Sequence, residues 1–151
     1  MAKNSKFYKM RQKYLSHPLQ GLGAHILYWF FAAMPIDMAS NFAGRLMRNL
    51  GPQMGQTKKA RNNLTRAFPE KSKDEIEEIV ADMWENLGRS AGEIPHLHKL
   101  QPGGPRIEIV GLEHGLASRD DGKPGLFFTG HIGNWEVSMC IATVLGMDMM
   151  S

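Results

Sequence analysis

The chain has a single cysteine, Cys140, in 151 residues. That excludes an internal disulfide framework and any metal site built on clustered thiolates. Cys140 falls among Met139, Ile141 and Ala142, the surroundings of a buried, inert thiol rather than a nucleophile. Acidic residues are nearly missing from the front of the chain. Residues 1–69 hold eleven Lys/Arg and one acid, Asp37, whereas residues 70–151 hold seven Lys/Arg and fourteen acids. A basic front half points to a polyanionic partner, either a membrane surface or a nucleic acid. No RNP, zinc-finger or helix-turn-helix pattern is present, so nucleic acid is not expected as a partner. Internal repeats and low-complexity segments are absent as well.

A long apolar run is also lacking. The most apolar stretch, Ile26 to Met34, has nine residues, and stretching it to Leu22 and Ile36 gives fifteen. A spanning helix needs about 20. His25 and Asp37 frame the run and Pro35 would kink it. A cleaved signal peptide fits poorly, because no small-residue cleavage site follows cleanly. Tyr28, Trp29, Phe30 and Phe31 suit the headgroup level, and Lys3, Lys6, Lys9, Arg11 and Lys13 precede them. The pattern predicts a helix lying in or against one leaflet of an anionic membrane, the alternative being a buried helix of a soluble core.

What is present is mostly helical. Phe42 to Leu50 continues as helix until Gly51-Pro52, and Lys58 to Phe68 forms a short basic helix ended by Pro69. Ser72 and Glu75 have capping-box spacing. Behind them Ile76, Ile79, Val80, Met83, Trp84, Leu87 and Ala91 recur at helical spacing, which predicts an inward stripe. Glu77, Glu78, Asp82 and Glu85 fall off that stripe and read as a solvated face, not a metal cage.

Beyond Pro95 and the 101–105 linker (QPGGP) the period changes. Arg106 to Gly111 alternates like a strand, Leu112 to Ser118 reads as helix, and Leu126 to Thr129 is a short apolar run like a strand buried on both faces. Trp135 to Gly146 reads as helix. The expected fold class is therefore α/β: N-terminal membrane-associated helices, then the start of a mainly parallel sheet covered by helices. The expected divisions are a membrane-associated segment over 1–42, a helical region over 43–100, and the first part of a catalytic core over 101–151. Two strands are too few for an independently stable sheet, so the chain is expected to be an N-terminal fragment of a longer protein or a truncated gene product, inactive alone.

The chemistry concentrates at residues 126–137, LFFTGHIGNWEV. His131 lies between Gly130 and Gly133, at the carboxyl end of the predicted strand, where parallel sheets place their sites. The glycines let a substrate approach the backbone. Asn134 is a suitable N-cap, and N–H groups at that helix start, around Gly133, Asn134 and Trp135, would favour a developing oxyanion. His131 and Glu136 are five apart, roughly 140° off a shared face on one continuous helix. They can meet only if His131 lies on the turn and Glu136 in the first helical turn. A carboxylate beside an imidazole fixes its tautomer and stabilises the imidazolium. With no serine or cysteine well placed nearby, such a base would activate a substrate hydroxyl. On spacing alone, a histidine capping a structural turn is the favoured reading. The H-E-x-x-H pattern is absent, and one His with one Glu is too few ligands for zinc.

Four blocks in order resemble one family. GHIGNWE (Gly130 to Glu136) is similar to the signature of the bacterial lipid A biosynthesis (lauroyl/myristoyl) acyltransferases, which share an H-x4-D/E motif with glycerolipid acyltransferases. NLTRAFPE (Asn63 to Glu70) resembles the family's NLxxAFP block. Trp84, Asn86-Leu87-Gly88-Arg89 and Glu93 resemble its W-x-N-L-G-R-x-x-x-E block, and Gly111 with Glu113 its G-x-E. The resemblance implies an enzyme at the cytoplasmic face of the inner membrane, moving an acyl chain from acyl carrier protein to a lipid A precursor, a glycolipid. His131 would deprotonate the acceptor hydroxyl and Glu136 would orient it, with no metal or dissociable cofactor. An acyl-CoA donor with a phospholipid or mannolipid acceptor fits the same motif, and a non-catalytic membrane-associated remnant is the reading from another class.

Overall fold

A computed structural model describes Met10, residues 12–100 and residues 104–147. The basic residues Lys3, Lys6, Lys9 and Arg11, the start of the 101–105 linker, and the side chains of Cys140, Ile141 and Val144 lie outside what is described. A π-helical turn, Gln12–Ser16, leads into α1, His17–Ala32. Pro35, extended at ψ 143°, separates α1 from α2, Ile36–Leu50. A 3-10 turn, Gly51–Gln53, leads to α3, Thr57–Ala67, and then α4, Lys73–Glu93. A second 3-10 stretch, Ile94–Lys99, is followed by α5, Leu112–Asp120, and α6, Glu136–Val144.

The expected sheet is not there: among the described residues every regular element is helical and no strand occurs. Both predicted strands, Arg106 to Gly111 and Leu126 to Thr129, lack any ladder of hydrogen bonds. A strand exists only through a neighbour that takes up its N–H and C=O groups, and no described segment pairs its backbone with either one. Phe128 is 89% and Leu126 80% exposed, the reverse of the burial predicted for Leu126 to Thr129. Arg106 instead anchors its segment to α2 by a bidentate pair with Asp37, at 2.8 and 2.7 Å. The order predicted as strand, helix, strand, helix becomes extended segment, helix, extended segment, helix.

The centre of the fold is α2 packed along α4. Ala39, Ser40, Ala43 and Gly44 of α2 face Gly88 and Gly92 of α4, and all six are buried. A Cβ on Gly92 would lie 2.6 Å from the Ala39 carbonyl oxygen, and one on Gly88 would press on the Ala43 carbonyl and sit 2.7 Å from Met47 Cβ. The backbones approach so closely that only hydrogen fits. This shifts the buried row of α4 to Ile76, Val80, Trp84, Gly88 and Gly92. Met83 and Leu87, predicted to face inward, are each 39% exposed, and Ala91 is exposed, because the contact line runs through the glycines instead.

Trp84 closes one end of this contact. Its indole N–H donates to Thr57 Oγ1 at 2.9 Å, and the Thr57 hydroxyl donates to the Gly51 carbonyl at 2.7 Å. The start of α4 has its capping box: Ser72 Oγ accepts from Glu75 N at 3.3 Å, and Glu75 Oε2 accepts from Ser72 N at 2.8 Å. α1 buries none of its residues. Its C-terminal end is tied down by His96, 1% exposed, whose Nε2–H donates to the Phe31 carbonyl at 3.1 Å.

The acidic face of α4 is more than a solvated surface. Arg48 of α2 donates to Glu78, Asp82 and Glu85, and Arg61 of α3 makes a bidentate pair with Glu77 at 2.5 and 2.7 Å. Arg61 also reaches the Pro52 carbonyl at 2.9 Å. The basic front half and the acidic helix thus meet inside one chain. Arg61 holds Glu77 below the usual glutamate pKa of 4.5, Arg89 does so for Glu85, and Arg106 holds Asp37 below 3.8. A depressed carboxylate stabilises the fold above its unfolded pKa, and that contribution disappears as pH falls through the lower folded value. The melting temperature is therefore expected to stay flat from neutral pH down to about 5 and drop below about 4.5. Arg61→Met should be less stable at neutral pH and lose part of that acid dependence in circular dichroism melts; an unaltered pH profile would contradict the pairing.

Candidate functional site

Residues 124–135, between α5 and α6, have no regular structure. The segment is nevertheless held at one point. Gly133, at φ +57°, turns the chain so that its carbonyl meets α4. Asn86 Nδ2 donates to that carbonyl at 3.3 Å, and Ser90 Oγ lies 3.2 Å from it, sharing its one proton with the Asn86 carbonyl at 3.0 Å. The next side chain, Asn134, donates from Nδ2 to Glu93 Oε2 at 2.8 Å. Glu93 Oε1 accepts from Ser40 Oγ of α2 at 2.7 Å. Asn86, Ser90 and Glu93 are spaced i, i+4, i+7, so they share one side of α4.

His131 lies just before this anchor and is exposed. The Ile132 N–H bonds to the Gly130 carbonyl at 2.8 Å, which places His131 at the tip of a three-residue turn. Its imidazole rests against Trp135, with ring centroids 4.6 Å apart and planes tilted by 55°. Glu136 is the first residue of α6 and half-buried. The helix therefore begins between His131 and Glu136, as the spacing requires. The structure brings His131 onto Trp135 rather than onto Glu136, and among the described residues no hydrogen bond joins the pair.

Asn134 does not cap α6 through its side chain. Its Nδ2 is engaged by Glu93 and its Oδ1 is buried without a partner, while its backbone carbonyl accepts from the Val137 N–H at 3.2 Å. Beside it lies a recess of about 330 Å3 lined by Asp37, Glu93, Arg106, Ile107, Asn134 and Val137 among others. Arg119 of α5 donates to the Leu145 carbonyl at 3.0 Å and braces the far end of α6. Among the described residues no three His, Cys, Asp or Glu side chains gather as a metal site.

A sequence model of the bacterial lipid A biosynthesis acyltransferases matches residues 8–150. The chain belongs to that family. Its activity class is acyl transfer. No curated protein and no solved structure matches the chain. On this acyltransferase the family-like blocks fall on distinct elements. Asn63 to Glu70 spans the end of α3, Trp84 to Glu93 lies along α4, Gly111 and Glu113 open α5, and Gly130 to Glu136 forms the turn into α6. The α4 block joins one other, gripping the His131 turn through Asn86 and Glu93, while its Trp84 bonds to Thr57 at the start of α3. Sequence reasoning gave Asn86, Ser90, Glu93 and Ser40 no role at the site. The readable signal was three hydrogen-bonding residues on one side of a well-defined helix.

Proposed function

We propose that the chain carries the site of an enzyme that transfers a fatty acyl group from the thioester of acyl carrier protein to a hydroxyl of a lipid A precursor, at the cytoplasmic face of the inner membrane. His131 is the base. Its imidazole takes the proton of the acceptor hydroxyl, the oxygen attacks the thioester carbonyl, the carbon–sulfur bond breaks, and the proton passes to the leaving thiolate. Glu136 orients the imidazole and stabilises its cationic form once the ring turns from Trp135 towards α6; such bonds tighten in the substrate complex. Gly133, Asn134 and Trp135 border the place where the oxyanion forms. The observation that carries the reading is an exposed histidine on an anchored turn, with a carboxylate opening the next helix, in a chain of this family.

Membranes from cells expressing the enzyme test this. His131→Ala is expected to lower the transfer rate by about 10³-fold and Glu136→Ala by about 10²-fold, with membrane association intact. Unchanged transfer in His131→Ala would refute the assignment.

The membrane is reached through α1. Leu22, Ile26, Leu27 and Trp29 are all exposed, and Tyr28 packs edge-on to Trp29 with centroids 5.6 Å apart. No helix among the described residues is long and apolar enough to cross a membrane. Lying along one leaflet accounts for both facts. The outer side of α2 continues the surface: Phe42 meets Phe30 at 6.0 Å, beside exposed Met38 and Leu46. The purified chain should float with phosphatidylglycerol vesicles and come off as salt rises. Ile26→Ser with Trp29→Ala should cut the bound fraction at least fivefold, and binding insensitive to that pair would contradict the surface.

A further inference from the structure

Resting on that reading of His131, we propose that Glu93 is the positioning residue of the transfer site: its carboxylate, clamped by Ser40, holds Asn134 and thereby fixes the turn that presents His131. The two carboxylate oxygens are divided between two elements, Oε1 to Ser40 of α2 at 2.7 Å and Oε2 to Asn134 at 2.8 Å. Ser40 itself is buried. The clamp therefore ties the turn to the close α2–α4 contact, the most constrained part of the molecule, rather than to a surface side chain.

The amide of Asn134 indicates what this bond does. An ionised carboxylate only accepts, so Nδ2 must point at Glu93 and Oδ1 must point away. Oδ1 is then left buried without a donor, an arrangement that costs about 1–3 kcal/mol in general. An unconstrained turn would rotate to relieve it. The turn is held against that cost by Glu93 on one side and by the Ser90 and Asn86 bonds to the Gly133 carbonyl on the other. A buried polar atom left unpaired in a native structure calls for an explanation, and a functional role is one. Among the described residues no hydrogen bond or ion pair joins Glu93 to His131 or Glu136. Glu93 acts through Asn134, which lies within three residues of both, on where the imidazole stands relative to the start of α6. A displacement of about 1 Å there is enough to slow a transfer about 10²-fold.

The experiment uses membranes containing the enzyme, with His131→Ala as the reference for lost catalysis. Glu93→Ala is expected to lower kcat about 10²-fold with KM for the acyl donor within twofold. Glu93→Gln keeps an acceptor for Asn134 and a donor for Ser40, and should restore kcat to within fivefold of wild type. Asn134→Ala should match Glu93→Ala, and the double variant should be no slower than either single one. If Glu93→Ala does not accumulate as folded protein, Asn134→Ala and Ser40→Ala decide, each expected to lower kcat at unchanged KM. Loss of transfer in His131→Ala with near-wild-type kcat in Asn134→Ala and Ser40→Ala, or with additive losses in the double variant, overturns the positioning role alone. Retained transfer in His131→Ala overturns both that role and the reading beneath it.

Discussion

The contact on which the rest depends is the approach of α2 to α4 through small residues. Ala39, Ser40, Ala43 and Gly44 meet Gly88 and Gly92 with no room for a Cβ on either of those two glycines. Dispersion between two backbones this close is summed over many atom pairs and vanishes with a small separation. Few alternative registers preserve it, because a one-residue slip would set Leu87 or Arg89 where hydrogen now fits.

Two consequences follow from fixing α4 in this way. Its acidic residues come within reach of Arg48 and Arg61, so the charge asymmetry of the chain is partly neutralised internally. Exposed ion pairs contribute little singly. The face of α4 bearing Asn86, Ser90 and Glu93 is then presented to the turn after the extended segment, and the Gly133–Asn134 corner docks on it. The candidate base is carried by a loop, yet the loop is referenced to the rigid contact through Glu93 and Ser40.

The helices are legible in the sequence because their signals are local. The Ser72–Glu75 capping box, Pro35, Gly51-Pro52 and Pro69 each mark a boundary by chemistry acting within a few residues. The predicted strands fail for the opposite reason. Alternation in Arg106 to Val110 and the apolar run at Leu126 describe surfaces fit for pairing, and pairing is a property of two segments. The inward stripe is half right, because α4 turns its glycines rather than Met83 and Leu87 to α2, and a glycine row carries no hydrophobic signal. At the site, a helix does start between His131 and Glu136, the condition their pairing needs, while the imidazole rests on Trp135 instead. Glu93 stays hidden because its partners, Ser40 and Asn134, are 53 and 41 residues away in sequence.

The most direct measurement is the unfolding free energy of Gly88→Val beside that of Gly21→Val. A Cβ at Gly21 meets nothing within 4 Å, so valine there should leave stability unchanged or raise it by a few tenths of a kcal/mol through helix propensity. At Gly88 the same side chain must push α2 away, and a loss of about 3 kcal/mol is expected. A Gly88→Val chain within about 0.5 kcal/mol of wild type would contradict the close α2–α4 contact, and with it the rigid base on which the His131 turn is anchored.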